Sequence, residues 1–240
     1  MTGNLTRPPA AAGTPAPDMG LFERYARELG LASRLVVLVL SAALAVPLMA
    51  WSWSLTAHPF RFFDGILSPP GVEALRPSLW LTWGHAAITS LFLVTNLVCR
   101  RYGPGWALVH VVLSTLAAAI ALVTLSPEYA AALAPQAAHF TGRELVSLLV
   151  ALGMGQAVSV YVFEHTRGVE WWNAPAYAAL TASLVSMPLF YALAYFGSDW
   201  VWLNRMSIDI ALKALMAFAL LVPYYLLRPV VRPLEGYGGY

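Results

Sequence analysis

The sequence predicts an all-α integral membrane protein: a bundle of six transmembrane helices with both termini in the cytoplasm. Three observations carry this expectation. Of the 240 residues, 59% are hydrophobic and only 11% charged, and mean hydropathy is +0.65, whereas a soluble domain carries about 25% charged residues. Six apolar runs reach the roughly 20 residues that a helix needs to cross about 30 Å of hydrocarbon. The thirteen arginines all fall between those runs or at their ends.

Taken in order, the chain opens on "MTGNLTRPPAAAGTPAPDMG", rich in Pro, Ala and Gly with no apolar period. Residues 1–30 are therefore expected to be a disordered cytoplasmic tail. The stretch has no apolar core and is not expected to be a signal peptide. The transporter-like membrane domain is expected over residues 31–232, followed by a short tail at 233–240. Its spans are Arg34–Leu55, Leu79–Cys99, Trp106–Leu125, Leu145–Phe163, Ala174–Phe196 and Ile208–Leu227. Each must be helical, because lipid offers backbone N–H and C=O groups no partners and no alternating barrel pattern is present.

Six spans put both termini on one side, and the arginines choose which. Arg7, Arg24, Arg27, Arg34, Arg100, Arg101, Arg167, Arg228 and Arg232 share the side of the termini, against Arg61, Arg76, Arg143 and Arg205 opposite. By the positive-inside rule the termini are cytoplasmic. The connection holding Phe60, Phe62, Phe63, Pro69 and Pro70 reads either as an interfacial aromatic segment or as a cap folded back over a cavity. Residues 127–141 are alanine-rich and expected to hold a short interfacial helix, with Glu128 and His139 facing water.

Composition also excludes functions. A net charge of +2 offers no basic surface for a nucleic-acid backbone. A single cysteine, Cys99, rules out an internal disulfide and a multi-cysteine metal site. No G-x-x-x-x-G-K-[ST] phosphate loop, G-x-S-x-G elbow or H-E-x-x-H zinc helix occurs. An enzyme is not expected, nor a cofactor, nor a bound metal.

Polar residues inside the spans then carry the functional reading. Lys213 is the only lysine, and Asp209 precedes it by four residues in "IDIALKALMAF". At this spacing the side chains share one helix face, acid before base, the better order for a helical pair. Either charge alone in hydrocarbon is costly, so pairing is expected. The pair reads as a substrate or proton site, or as a structural pair fixing helix packing. In the second span Thr95 and Asn96 lie near the cytoplasmic end, and an asparagine amide can read a heterocycle edge or bond a neighbouring helix. His85 and His110 have no further ligand at metal spacing and read as packed histidines. In the fourth span Ala151 and Gly155 form a small-xxx-small step before Gln156, another amide suited to a base edge. Pro188 and Pro223 are expected to kink the last two spans, and Trp171 and Trp172 to anchor the interface between the fourth and fifth.

In order and spacing these segments resemble the queuosine precursor transporter family, also described as the vitamin uptake transporter family. "FLVTNLVCRRYG", "GQAVSVYVFEHTR", "WWNAP" and "DIALKALMAFALLVPYY" are similar to its motifs, from about Trp83 to Tyr225. The resemblance implies a six-helix fold around a cavity and import of 7-deazaguanine precursors of queuosine, such as 7-cyano-7-deazaguanine. It implies that Asp209, Lys213, Gln156, Asn96 and Thr95 bind substrate or couple its transport, with Trp83, Phe163 or Phe190 stacking on the base. The partners implied are a small deazapurine-like molecule and the lipid bilayer, with oligomeric state and any energising module left open. Where the family usually carries acids, this chain has Asn96, Ser159 and Ser186, which marks a divergent member. Two alternatives stand beside this reading: a carrier or substrate-binding subunit for another small heterocycle or vitamin, and a non-transport membrane subunit.

Overall fold

The computed structural model describes residues 21–55, 58–67, 76–124, 142–197 and 202–233, all helix and connecting segments with no strand among them. The chain divides into two compact units, Met1–Val36 and Val37–Tyr240. In the first, the described residues 21–36 belong to helix α1 (Leu21–Ala43). The second completes α1 and continues through α2 (Ala45–Ser54), α3 (Asp64–Leu67), α4 (Trp83–Ala87), α5 (Ser90–Thr124), α6 (Gly142–His165), α7 (Asn173–Tyr195), α8 (Trp202–Ala219) and α9 (Leu221–Leu227).

Among the described residues, five helices are long and apolar enough to cross a membrane: Gly30–Ser52, Trp83–Ile120, Gly142–His165, Asn173–Tyr195 and Trp202–Leu227. Six runs were expected; the second and third fall within the single 38-residue element Trp83–Ile120. As a straight helix it would be ~57 Å long, nearly twice the thickness of the hydrocarbon. It is not straight. Gly103 has φ 81° and ψ 177°, a backbone region open essentially to glycine alone, and Pro104 then restarts the helix without needing an N–H partner. Thr95 and Ser114 lie on opposite sides of Gly103, and their hydroxyls stand 2.8 and 3.4 Å from the same Gln156 oxygen. The two residues would be separated by roughly 28 Å along a straight helix. Val98 and Val111 likewise meet in one apolar cluster with Val160 and Ala178. The element therefore doubles back at Gly103.

Prolines explain two further interruptions. A proline cannot donate to the carbonyl four residues before it. α1 ends at Ala43, four before Pro47, and α8 ends at Ala219, four before Pro223. The ladder resumes at once: Leu48 N–H bonds Leu44 C=O at 3.1 Å, and Tyr224 N–H bonds Leu220 C=O at 3.1 Å. These are kinks rather than helix ends. Pro188, expected to act in the same way, sits inside α7 without interrupting its assignment as helix.

In the second unit α6 packs on α5 and α7, α7 on α8, and α2 on α4 and α5. Gly155 allows the closest approach of α6 to α7. A Cβ there would stand 2.9 Å from Ser186 Cβ and 3.3 Å from the Ala182 carbonyl, so the backbone must come in bare. Facing away, Leu116, Val146, Leu184, Leu203, Val222 and Leu226 are each more than half exposed, apolar surface that suits a lipid solvent. The aromatic connection folds back onto α8: Phe60 N–H bonds the Leu81 carbonyl at 2.8 Å, and Phe60 and Leu81 are buried against Ile208 and Leu212. Pro69, Pro70, the expected helix in 127–141, most of the N-terminal tail and residues 234–240 lie outside the described residues.

Gly103→Ala should destabilise the protein by about 1–3 kcal/mol, the usual cost of forcing a side chain into such a backbone conformation. Gly105→Ala is its control, since an added Cβ there meets nothing within 4 Å and alanine favours helix. Melting temperatures of the two purified variants in detergent should separate clearly, with only Gly103→Ala falling.

Candidate functional site

Lys213 and Asp209 form the centre of the polar interior. Both are buried, and Lys213 Nζ donates to Asp209 Oδ1 at 2.7 Å. The other carboxylate oxygen accepts the Tyr191 hydroxyl of α7 at 3.4 Å. Local geometry makes the pair possible, because residues four apart on a helix stack on one face. Burial makes it obligatory, because each charge would otherwise face a low-dielectric surrounding alone. Lys213 keeps two further N–H groups, and among the described residues they have no other hydrogen-bond partner.

His85 on α4 lies within Coulombic reach of both members of the pair. Its Nδ1 accepts the Thr82 backbone N–H at 3.3 Å and lies 3.0 Å from the Thr82 hydroxyl. The histidine is thus held by its own helix start.

A second polar group spans α5 and α6. Thr95 Oγ1 is 2.8 Å from Gln156 Oε1 and 3.0 Å from the Leu91 carbonyl. Ser114 Oγ is 3.4 Å from Gln156 Oε1 and 3.0 Å from the Val111 carbonyl. Each hydroxyl has one proton, so where it sends that proton decides which end of the amide faces it. One step along, Ser159 donates to Asn96 Oδ1 at 2.9 Å. Asn96 itself is only 2% exposed.

Most helix hydroxyls in this chain satisfy themselves on the preceding turn. Ser147 donates to Arg143 O, Thr181 to Tyr177 O, Ser183 to Ala179 O and Ser207 to Leu203 O. Thr89, Thr115, Ser159 and Ser186 do not. Thr89 Oγ1, Thr115 Oγ1 and Ser186 Oγ are buried with no partner among the described residues, an arrangement that proteins generally avoid.

The other aromatic candidates lie elsewhere. Trp83 is 48% exposed and packs edgewise on Phe60, with ring centroids 4.7 Å apart. Phe190 packs edge-on to Tyr191 at 5.2 Å. Phe163 lines a solvent-open cleft of about 310 Å³ with Arg100, Arg167, Trp171 and Tyr224. There Arg167 donates to the Cys99 carbonyl at 2.6 Å and lies over the Phe163 ring at 5.1 Å. His110, expected to be packed, is buried with Nδ1 3.1 Å from Ser41 Oγ. Among the described residues no three His, Cys, Asp or Glu side chains converge to hold a metal. Sequence reading missed Tyr191 and Ser114 because each meets its partner across a helix interface. The only available signal was a hydroxyl in an otherwise apolar run.

Removing one member of the buried pair should cost about 3–5 kcal/mol, because it strands the other charge. Asp209→Asn and Lys213→Met should each lower the melting temperature in detergent. The double variant should lower it by less than the sum of the two. Strict additivity would mean that the two side chains are not energetically coupled.

A family model described as "Putative vitamin uptake transporter" matches residues 82–227. A comparison with curated proteins and one with solved structures each found no match. The matched stretch covers more than half of the chain, including every polar interior group from His85 to Lys213. The chain is a multi-pass membrane protein and belongs to the vitamin uptake transporter family.

Proposed function

We propose that this protein is a secondary transporter of a bacterial inner membrane that imports a 7-cyano-7-deazaguanine-like base for salvage into the tRNA nucleoside queuosine. The observation that carries the reading is that Thr89 Oγ1, Thr115 Oγ1 and Ser186 Oγ are buried with no partner among the described residues. A purely structural interior would have satisfied them. The family match supports transport, and the motif resemblance supports the deazaguanine class.

In this reading the doubled-back element supplies two crossings, which makes six with both termini cytoplasmic. The base has a lactam, an exocyclic amine and a nitrile. Asp209 accepts from its N–H groups, while Asn96 Nδ2 and Lys213 donate to its carbonyl and nitrile. Gln156, held by Thr95 and Ser114, presents its remaining amide end to the ring. Trp83 and Phe60 form an aromatic rim. Asn96, Gln156, Asp209 and Lys213 are at most 3% exposed, so the base reaches them only when helices part, as alternating access requires.

The test uses a bacterium that neither makes 7-deazaguanines nor has its own importer. Given nanomolar 7-cyano-7-deazaguanine, cells expressing the protein should regain queuosine in their tRNA. Asp209→Asn should abolish this. Asn96→Ala and Gln156→Ala should each cut initial uptake about tenfold, the loss expected for one or two hydrogen bonds. No queuosine from wild-type protein verified in the membrane would overturn the substrate assignment.

A further inference from the structure

We infer that the cleft between Arg100, Arg167 and Tyr224 is a binding site for the phosphate headgroup of an anionic membrane lipid. The inference concerns a surface apart from the polar interior and stands whatever the protein carries.

The cleft forms where three parts of the chain converge. Arg100 comes from α5, Arg167 from the turn after α6 and Tyr224 from α9, with Glu170 and Trp171 completing the wall. The charges that reach the Tyr224 hydroxyl are those of Arg100, Arg167 and Arg228, all positive. Two more cations stand at the same end, because Arg101 donates to the Arg232 carbonyl at 2.9 Å, next to the bond from Arg100 Nε to the Val231 carbonyl at 3.2 Å. Among the described residues the acids at this end are Glu164, paired with Arg167 at 2.7 Å, and Glu170 in the cleft wall. Positive charge is therefore in excess, and guanidinium groups match phosphate in geometry as well as in sign.

The flank of the cleft points to a lipid as the carrier of that phosphate. Trp171 lines the cleft and packs on Tyr225, with ring centroids 5.0 Å apart. An aromatic pair thus stands at the rim, and such residues settle at headgroup depth. Tyr224 is buried, whereas Val222 and Leu226, two residues to either side, are 64% and 65% exposed. A helix turns about 100° per residue, so those two side chains point away from the bundle while the tyrosine points into it. Charged pocket, aromatic rim and apolar strip follow one another across one short segment. That order matches the phosphate, glycerol and acyl chains of a phospholipid, whereas a free phosphate ion would use the pocket alone. Basic pockets between membrane helices hold lipid headgroups in this way.

A phosphate seated there joins α5, the α6–α7 connection and α9 at one point. It would reinforce the closure that Arg167 makes on the Cys99 carbonyl, so the bound lipid stabilises the bundle with this end shut. Glu170 is the position where the site can be changed with least disturbance. It is exposed, and Glu170→Gln removes the acid from the cleft wall while keeping the shape of the side chain.

The experiment titrates delipidated protein in a neutral detergent with phosphatidylglycerol, with phosphatidylcholine, whose phosphate is offset by its own ammonium, or with glycerol 3-phosphate. Bound lipid is counted by native mass spectrometry, and the melting temperature is read alongside. Phosphatidylglycerol should bind about tenfold more tightly than phosphatidylcholine, the order for one charge-assisted hydrogen bond. Near saturation it should raise the melting temperature by about 3 °C or more. Arg167→Gln should cut the preference about tenfold, and Glu170→Gln should widen it about threefold, as fits the loss of an exposed like charge. Equal affinity for the two lipids would overturn the inference. Glycerol 3-phosphate binding as tightly as phosphatidylglycerol would overturn the lipid as the ligand. A preference unchanged by Glu170→Gln, and by Arg167→Gln where that variant folds, would put the lipid elsewhere on the protein and overturn the assignment to this cleft. None of these readouts requires transport, so the inference and the substrate assignment fail separately.

Discussion

In hydrocarbon a polar group has no solvent to turn to, and the arrangement of this protein follows from that constraint. Backbone groups close their bonds within helices, exposed faces carry leucine and valine, and the charged pair and the amides of the helices are buried. Asp209 and Lys213 are the extreme case. Each is tolerable only because the other lies one turn away, and that turn fixes the face which α8 shows to α4 and α7. Once α8 is oriented, Tyr191 and His85 find their places around the pair, and the apolar cluster of Phe60, Leu81, Ile208 and Leu212 closes beside it.

Small side chains determine how near these groups come. Gly155 admits α7 so closely that Ser186 Cβ would almost touch a methyl group placed there. Ala151, Ala178 and Ala182 are buried along the same contact. Dispersion and close fit, rather than the hydrophobic effect, hold membrane helices together. The step from Ala151 to Gly155 therefore does for α6 and α7 what a leucine seam does in a soluble bundle. It also places Ser186 against the helix turn that carries Gln156 and Ser159.

Much of this was legible in the sequence, for reasons of range. The apolar runs and the pair at i and i+4 are local patterns, set by helix geometry within one or two turns. The doubled-back element was legible in part: two runs with "YGPG" between them suggested two spans, and the positive φ of Gly103 is how one continuous stretch becomes two. Pro223 was legible as the kink of the last span, and Pro188 stands inside α7, which continues as helix past it. Not legible were the partners across helices. Nothing in the run around Ser114 says that it stands across from Thr95 at one amide, and nothing near Tyr191 points to a carboxylate 18 residues on. Such contacts depend on the rotation of each helix, which sequence period leaves free by tens of degrees. Trp83, an aromatic at the start of the same span, is half exposed and packs edgewise on Phe60, a contact that only the fold could reveal.

The two ends of the polar interior are closed by different chemistry, and this difference bears on how a carrier would work. At one end Phe60 and Leu81 are buried against Ile208 and Leu212, an apolar seal with Trp80 and the Arg205 guanidinium of α8 at its edge. At the other, Arg100 and Tyr224 line the solvent-open cleft, and Arg167, just after α6, donates to the Cys99 carbonyl as a polar latch. An apolar seal opens at a cost set by area, and a water-facing latch can exchange its bonds for hydration. The kink at Leu220 lies between the two closures on the segment Trp202–Leu227, which carries the pair on one side and Tyr224 on the other. Bending there would loosen one closure without needing to disturb the other. Opening the ends in turn, rather than together, is the mechanical requirement for moving a solute across a membrane without a leak.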